Sequence, residues 1–108
     1  MHGSRRARWL ATAVFLAVAS AASGATAADV ANGLQLSRQW CASCHLVEPS
    51  GVARDSAPSF ARISNDPTTT PERLHAWLAD PHPPMPGLDL AKQQEDDIIA
   101  YLKSLKTQ

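Results

Sequence analysis

Two cysteines and a histidine stand together in Cys41-Ala42-Ser43-Cys44-His45, and those two cysteines are the only ones in 108 residues. Bridged to each other they would close a tiny loop, which constrains the unfolded chain very little. C-x-x-C-H is instead the attachment pattern for a c-type haem. Thiols three positions apart on a helical turn lie on one side of it and can add to the two vinyl groups of one porphyrin edge. The next residue is then carried under the ring, where an imidazole nitrogen can bind the iron.

Two other chemistries use similar residues. Trp40-Cys41-x-x-Cys44 resembles the W-C-x-x-C of thioredoxin-like oxidoreductases, but that site needs a βαβ scaffold, and too little chain precedes Trp40 to supply one. No later stretch reads as a run of β-branched strands. A zinc site of Cys41, Cys44, His75 and His82 would need a longer histidine spacing than the usual H-x₃₋₅-H and a long gap from Cys44 to His75. Haem is the favoured reading, with one haem c held by Cys41 and Cys44 and with His45 on the iron.

A sixth iron ligand is the next requirement. Met85 lies in Pro81-His82-Pro83-Pro84-Met85-Pro86-Gly87, where the prolines fix φ and exclude helix or central strand. A methionine on a helical apolar stripe is ordinarily core filler. One in a polar, proline-bound loop is poorly explained by packing, and a thioether opposite histidine would raise the reduction potential. His82, three residues away, and the remoter His75 are the competing ligands; His75 otherwise reads as a surface or half-buried residue of a helix.

The elements that must position these groups read as helices. Val30–Trp40 is the first, with Leu34, Leu36 and Trp40 apolar and Gly33 inside it, a position costing about 1 kcal/mol against alanine. Thr70 is a candidate N-cap, Pro71 suits the first turn, Leu74, Trp77 and Leu78 share a face, and Asp80-Pro81 ends this second helix. The last helix is expected over about Ala91 to Lys106, its buried stripe being Ile98, Tyr101, Leu102 and Leu105. Glu95, Asp96 and Asp97 suit the dipole near its start and read as a solvated face. Ala91 is a poor cap, so fraying is expected there. Leu46 to Asn65 reads as irregular.

The first 28 residues read as a secretory signal peptide. Arg5, Arg6 and Arg8 precede an apolar run from Trp9 to Ala22, and Ala25-Thr26-Ala27-Ala28 forms an A-x-A-like cleavage site. The run is short for a membrane span, and membrane attachment would follow only if the segment were kept. Cleavage after Ala27 or Ala28 leaves one domain, residues 29–108, outside the cytoplasm, expected in the periplasm. The whole chain has ten Lys and Arg against ten Asp and Glu; losing three arginines leaves a net charge of −3. That mild acidity, with no Lys/Arg block, argues against nucleic acid. A domain of about 80 residues has a marginal hydrophobic core, so a cofactor that helps hold it together makes physical sense.

From about Ala31 to its end the chain resembles the class I monohaem cytochromes c, chiefly in Cys41-Ala42-Ser43-Cys44-His45 and in Met85-Pro86. The resemblance implies an all-α, cytochrome c-like fold of about three to four helices and irregular loops around one covalent haem, with His45 and Met85 as axial ligands. It also implies that Gly33 lets the first and last helices cross closely, although Ser37 stands where the family often has an aromatic. In similar proteins a proline carbonyl accepts the outer N–H of the iron-bound histidine, and Pro58 stands at the matching place; otherwise it is an ordinary loop proline. Trp77 is either a core residue or a haem contact whose indole N–H reaches a propionate; both readings bury it.

The function so implied is one-electron transfer, Fe(III)/Fe(II), without catalysis: a monomeric carrier between redox proteins such as a dehydrogenase, an oxidase or a reductase. The alternatives are a haem enzyme or gas sensor with an open axial site, and a fixed haem subunit of a larger complex.

Overall fold

The structure is a computed structural model that describes residues 13–19, 27–80 and 82–107. Most of the segment read as a signal peptide therefore lies outside the described residues, as does Pro81. Residues 13–19 have no regular secondary structure and their side chains are exposed. Four helices and no strand are found among the described residues, and none of the helices is long and apolar enough to cross a membrane.

Helix α1 spans Val30–Trp40 and begins at Asp29, whose side chain accepts from the Asn32 backbone N–H. Helix α4 spans Lys92–Ser104. The two cross at Gly33. A Cβ added there would stand 2.0 Å from the Asp97 carbonyl oxygen and 2.8 Å from the Tyr101 Cβ, so only glycine permits this approach. The glycine weakens α1 locally, and the close packing of two helices offsets that cost. Ser37, one turn on, is fully buried and donates to the Gly33 carbonyl at 2.7 Å. A larger aromatic side chain is thus absent at the place where the helix turns a hydroxyl back on its own backbone.

Helix α3, Pro71–Ala79, has the expected start: Thr70 accepts from Arg73 N–H and Glu72 lies in the first turn. The start of α4 is firmer than the poor cap at Ala91 suggests, because Gln94 Oε1 reaches back to the Ala91 N–H at 2.9 Å. The stretch 46–65 is not wholly irregular. Phe60–Asn65 forms a helix, α2, capped by Ser59 accepting from Arg62 N–H. Six residues give too few turns for an apolar period to show; the Pro58-Ser59 pair before Phe60 was the available signal.

The core lies where α4 meets the other helices. Ile98, Ile99, Tyr101 and Leu102 are buried with Leu36, Val47, Phe60 and Leu74, and Leu34, Ile63, Leu78 and Leu105 pack against them. Asp97 corrects the reading of 95–97 as a solvated face. It is 4% exposed, because the crossing at Gly33 brings its backbone against α1 and three neutral donors satisfy its carboxylate. Its neighbours Glu95 and Asp96 are half-buried and pair with His75 of α3, at 3.4 Å and 3.2 Å.

Candidate haem site

A cavity of about 470 Å³ opens between the end of α1, α2, α3 and the segment 82–88. Its wall is made of Phe60, Ile63, Leu74, Leu78, Leu88, Ile98 and Leu102, with Cys41, Cys44, His45, Pro58, Trp77 and Met85 among the other lining residues. All six side chains singled out in the sequence thus border one space. No Lys, Arg, Asp or Glu lines it.

The cysteine end is organised by the close of α1. Cys41 caps the helix, its N–H donating to Ser37 O, and the chain turns so that Cys44 N and His45 N both donate to Cys41 O. The thiols are unbridged; Cys41 is buried and Cys44 exposed. Burial pushes the Cys41 thiol up to about 11, since an apolar setting disfavours the thiolate.

His45 is fixed by the backbone of residue 58. Its Nδ1 lies 2.6 Å from the Pro58 carbonyl oxygen. A carbonyl can only accept, so Nδ1 carries the proton and Nε2 keeps its lone pair, the tautomer an iron ligand needs. Phe60 stands beside the imidazole, with ring centroids 5.4 Å apart.

Sequence reasoning missed two supports of this arrangement. Ser56 Oγ donates to Cys44 O at 3.0 Å, and Phe60 N–H donates to Leu46 O at 3.0 Å. With the His45–Pro58 bond between them, these fasten residues 56–60 along residues 44–46. No local signal marks Ser56, whose partner is twelve residues away.

Met85 is half-buried in the opposite segment, where its N–H donates to His82 O at 2.9 Å. His82 is exposed, and its ring lies 5.6 Å from that of Trp77. Trp77 borders the cavity from α3. Its indole forms part of the cavity wall instead of packing into the core, and Arg73 covers it, with Cζ 5.0 Å from the ring centroid.

The donor set suits a haem: two free thiols, an imidazole with an available Nε2 and a thioether border an uncharged, largely apolar space. The family model for cytochrome c matches residues 30–106. The chain belongs to the cytochrome c family. Cytochrome c-552 of Bradyrhizobium diazoefficiens is 46% identical over 92 residues, covering 84% of this chain and 88% of that protein. A cytochrome bc1 complex cytochrome c subunit of Corynebacterium diphtheriae is 39% identical over 85 residues, covering 77% of this chain and 30% of that protein. No solved structure matches the chain significantly.

As a cytochrome c, the protein carries covalently bound haem c and works in electron transport with redox partners. Cys41 and Cys44 have the spacing of its attachment motif.

Proposed function

We propose that this cytochrome c is an exported monomer of the periplasm, residues 29–108 after loss of the leader, that carries single electrons between two redox proteins with His45 and Met85 as axial ligands. The observation that carries the reading is the placing of an Nε2-available imidazole and the thioether of Met85 around one uncharged cavity.

Haem c, when bound, supplies a centre that gains or loses one electron. The chain's residues do the rest. Cys41 and Cys44 would hold the porphyrin edge by thioether bonds. His45 would hold the iron through Nε2, and its Nδ1–H bond to Pro58 prevents rotation of the ring. Met85 would hold the iron through its thioether, which would close it to small molecules and raise the potential. Trp77, on α3 at the cavity wall, would be the donor of an indole N–H to a propionate. Phe60, Ile63, Leu74 and Ile98 exclude water, which keeps solvent reorganisation small when charge changes. Cys44 and Ser43 are exposed at the rim, so electrons would pass there during brief docking, and weak redox encounters bury little surface.

The test is an optical spectrum of the haem-loaded protein. Methionine ligation gives a weak red charge-transfer band in the ferric form and a ferrous spectrum that carbon monoxide leaves unmoved. A prompt shift with the gas would remove Met85 from the iron and favour an enzyme or sensor.

A second reading, a fixed haem subunit, is supported by the relative whose name places it in a bc1 complex. Stable co-purification with other subunits from the native membrane would establish it, and recovery as a free monomer would exclude it.

A further inference from the structure

Asp97 is the one buried residue with a formal charge among the described residues. Its carboxylate accepts from the Asp29 backbone nitrogen at 2.8 Å and from Gln93 Nε2 at 2.9 Å through Oδ1, and from Asn32 Nδ2 at 2.7 Å through Oδ2. All three donors are neutral. Among the described residues no Lys, Arg or His lies within ion-pairing distance of it, and Lys92, one turn before it, is engaged by Asp96. A buried charge without a counterion is costly even when hydrogen-bonded.

One of those donors changes chemistry if the leader is cleaved after Ala28. The Asp29 nitrogen follows Ala25-Thr26-Ala27-Ala28. While the leader is attached it is a peptide amide. Cleavage after Ala28 turns the same atom into an ammonium; cleavage after Ala27 puts the ammonium on the adjoining residue. We propose that leader removal supplies the missing counterion: the α-ammonium freed at Asp29 by cleavage after Ala28 ion-pairs with the Asp97 carboxylate and locks the α1–α4 crossing. This rests on the reading of residues 1–28 as a cleaved leader.

The surrounding charges favour the pair. The Asp29 carboxylate is already turned to the start of α1, accepting from Asn32 N–H. From α4, Asp97 is the group in contact, and Lys92 is held by Asp96 at 3.0 Å. The positive end of the α1 dipole opposes an ammonium, and the two carboxylates offset it. Proteolysis would therefore add an interaction to the fold that the precursor lacks.

The experiment uses the exported holoprotein. Its intact mass reads the processing site first: a start at Asp29 is the expected result, a start at Ala28 keeps the leader reading but overturns the pairing, and a retained leader overturns both. The processed protein is then compared with a variant carrying Gly-Ser-Gly-Ser between Ala28 and Asp29, which keeps every residue of the site but moves the ammonium away. In the native protein the α-amino group should titrate about one unit above its ordinary 7.7–8.0, a shift equal to about tenfold in the unfolding equilibrium constant. A group whose folded pKa is raised stabilises fully below its unfolded pKa and loses that contribution as pH rises through the folded one. The insertion variant should therefore unfold about tenfold more readily at pH 7, and the gap should close by about pH 10. Asp97→Asn should erase the gap. An ordinary titration in the correctly processed protein, with equal stability of the two forms, would overturn the pairing while leaving the leader reading intact.

Discussion

The two sides of the haem cavity are built differently. On the histidine side, residues 44–46 are fastened to residues 56–60 by three hydrogen bonds, from Ser56, His45 and Phe60. Behind them stand the α1–α4 crossing and a Tyr101 hydroxyl that donates to Val47 O. On the methionine side, the described residues 82–90 make one hydrogen bond, within the segment itself, from Met85 N–H to His82 O. Prolines stiffen that segment, and half-buried Leu88 and Leu90 hold it by apolar contact. Hydrogen bonds fix an angle, whereas apolar contacts tolerate sliding. The imidazole is therefore oriented by the polypeptide, and the thioether is placed more loosely.

The largest effect should come from breaking what backs the histidine side. Gly33→Ala drives a methyl group to within 2.0 Å of the Asp97 carbonyl, so α1 and α4 must separate. Its cost should exceed the roughly 1–3 kcal/mol usual for an overpacked core. Thermal unfolding of the holoprotein measures it, and a melting temperature within a few degrees of the parent would mean that the crossing is not rigid.

Acid should loosen the same region next. Hydrogen bonds from the Asp29 N–H first, then from Asn32 and Gln93, hold the Asp97 carboxyl below the usual carboxylate range. A carboxylate depressed on folding contributes stability that is complete above its unfolded value, near 4, and lost as pH falls through the lower folded value. The parent should therefore lose stability below about pH 4 more steeply than Asp97→Asn, as denaturant melts at several pH values would show.

The methionine side should be expendable for folding. Met85→Ala should keep covalent haem, lose the red charge-transfer band and bind carbon monoxide, at a cost below the roughly 2–5 kcal/mol typical of a buried methionine, because Met85 is only half-buried. In a denaturant titration of the parent, the red band should fade before the helical signal; simultaneous loss would make the two sides equally firm.

The smallest effect is a control. Pro58→Ala retains the carbonyl that accepts from His45, so the reduction potential should stay near that of the parent. A large shift would mean that the ring of Pro58, and not its oxygen, sets the ligand.

Much of this was legible beforehand for local reasons. The spacing Cys41-x-x-Cys44-His45 is a chemical requirement written in adjacent residues, and the limits of α1 and α3 follow from Asp29, Thr70 and Pro71 acting on their own backbones. Helix α2 was hidden because six residues show no period. Asp97 was misread because local rules place acids near a helix start whether or not that turn is buried, and its burial depends on α1, more than sixty residues earlier.

By itself, then, the amino-acid order determined the haem chemistry, the all-α class and the candidate ligand in the proline segment, since each depends on neighbours within a turn or on the types of residue present. Only the tertiary structure decided that Nδ1 of His45 is the protonated nitrogen, that Ser56 braces the attachment turn, that Trp77 lines the cavity, and that one carboxylate of an acidic run is buried. Those outcomes depend on which distant backbone atoms meet a side chain, and that is set by the approach of α1 to α4 at Gly33.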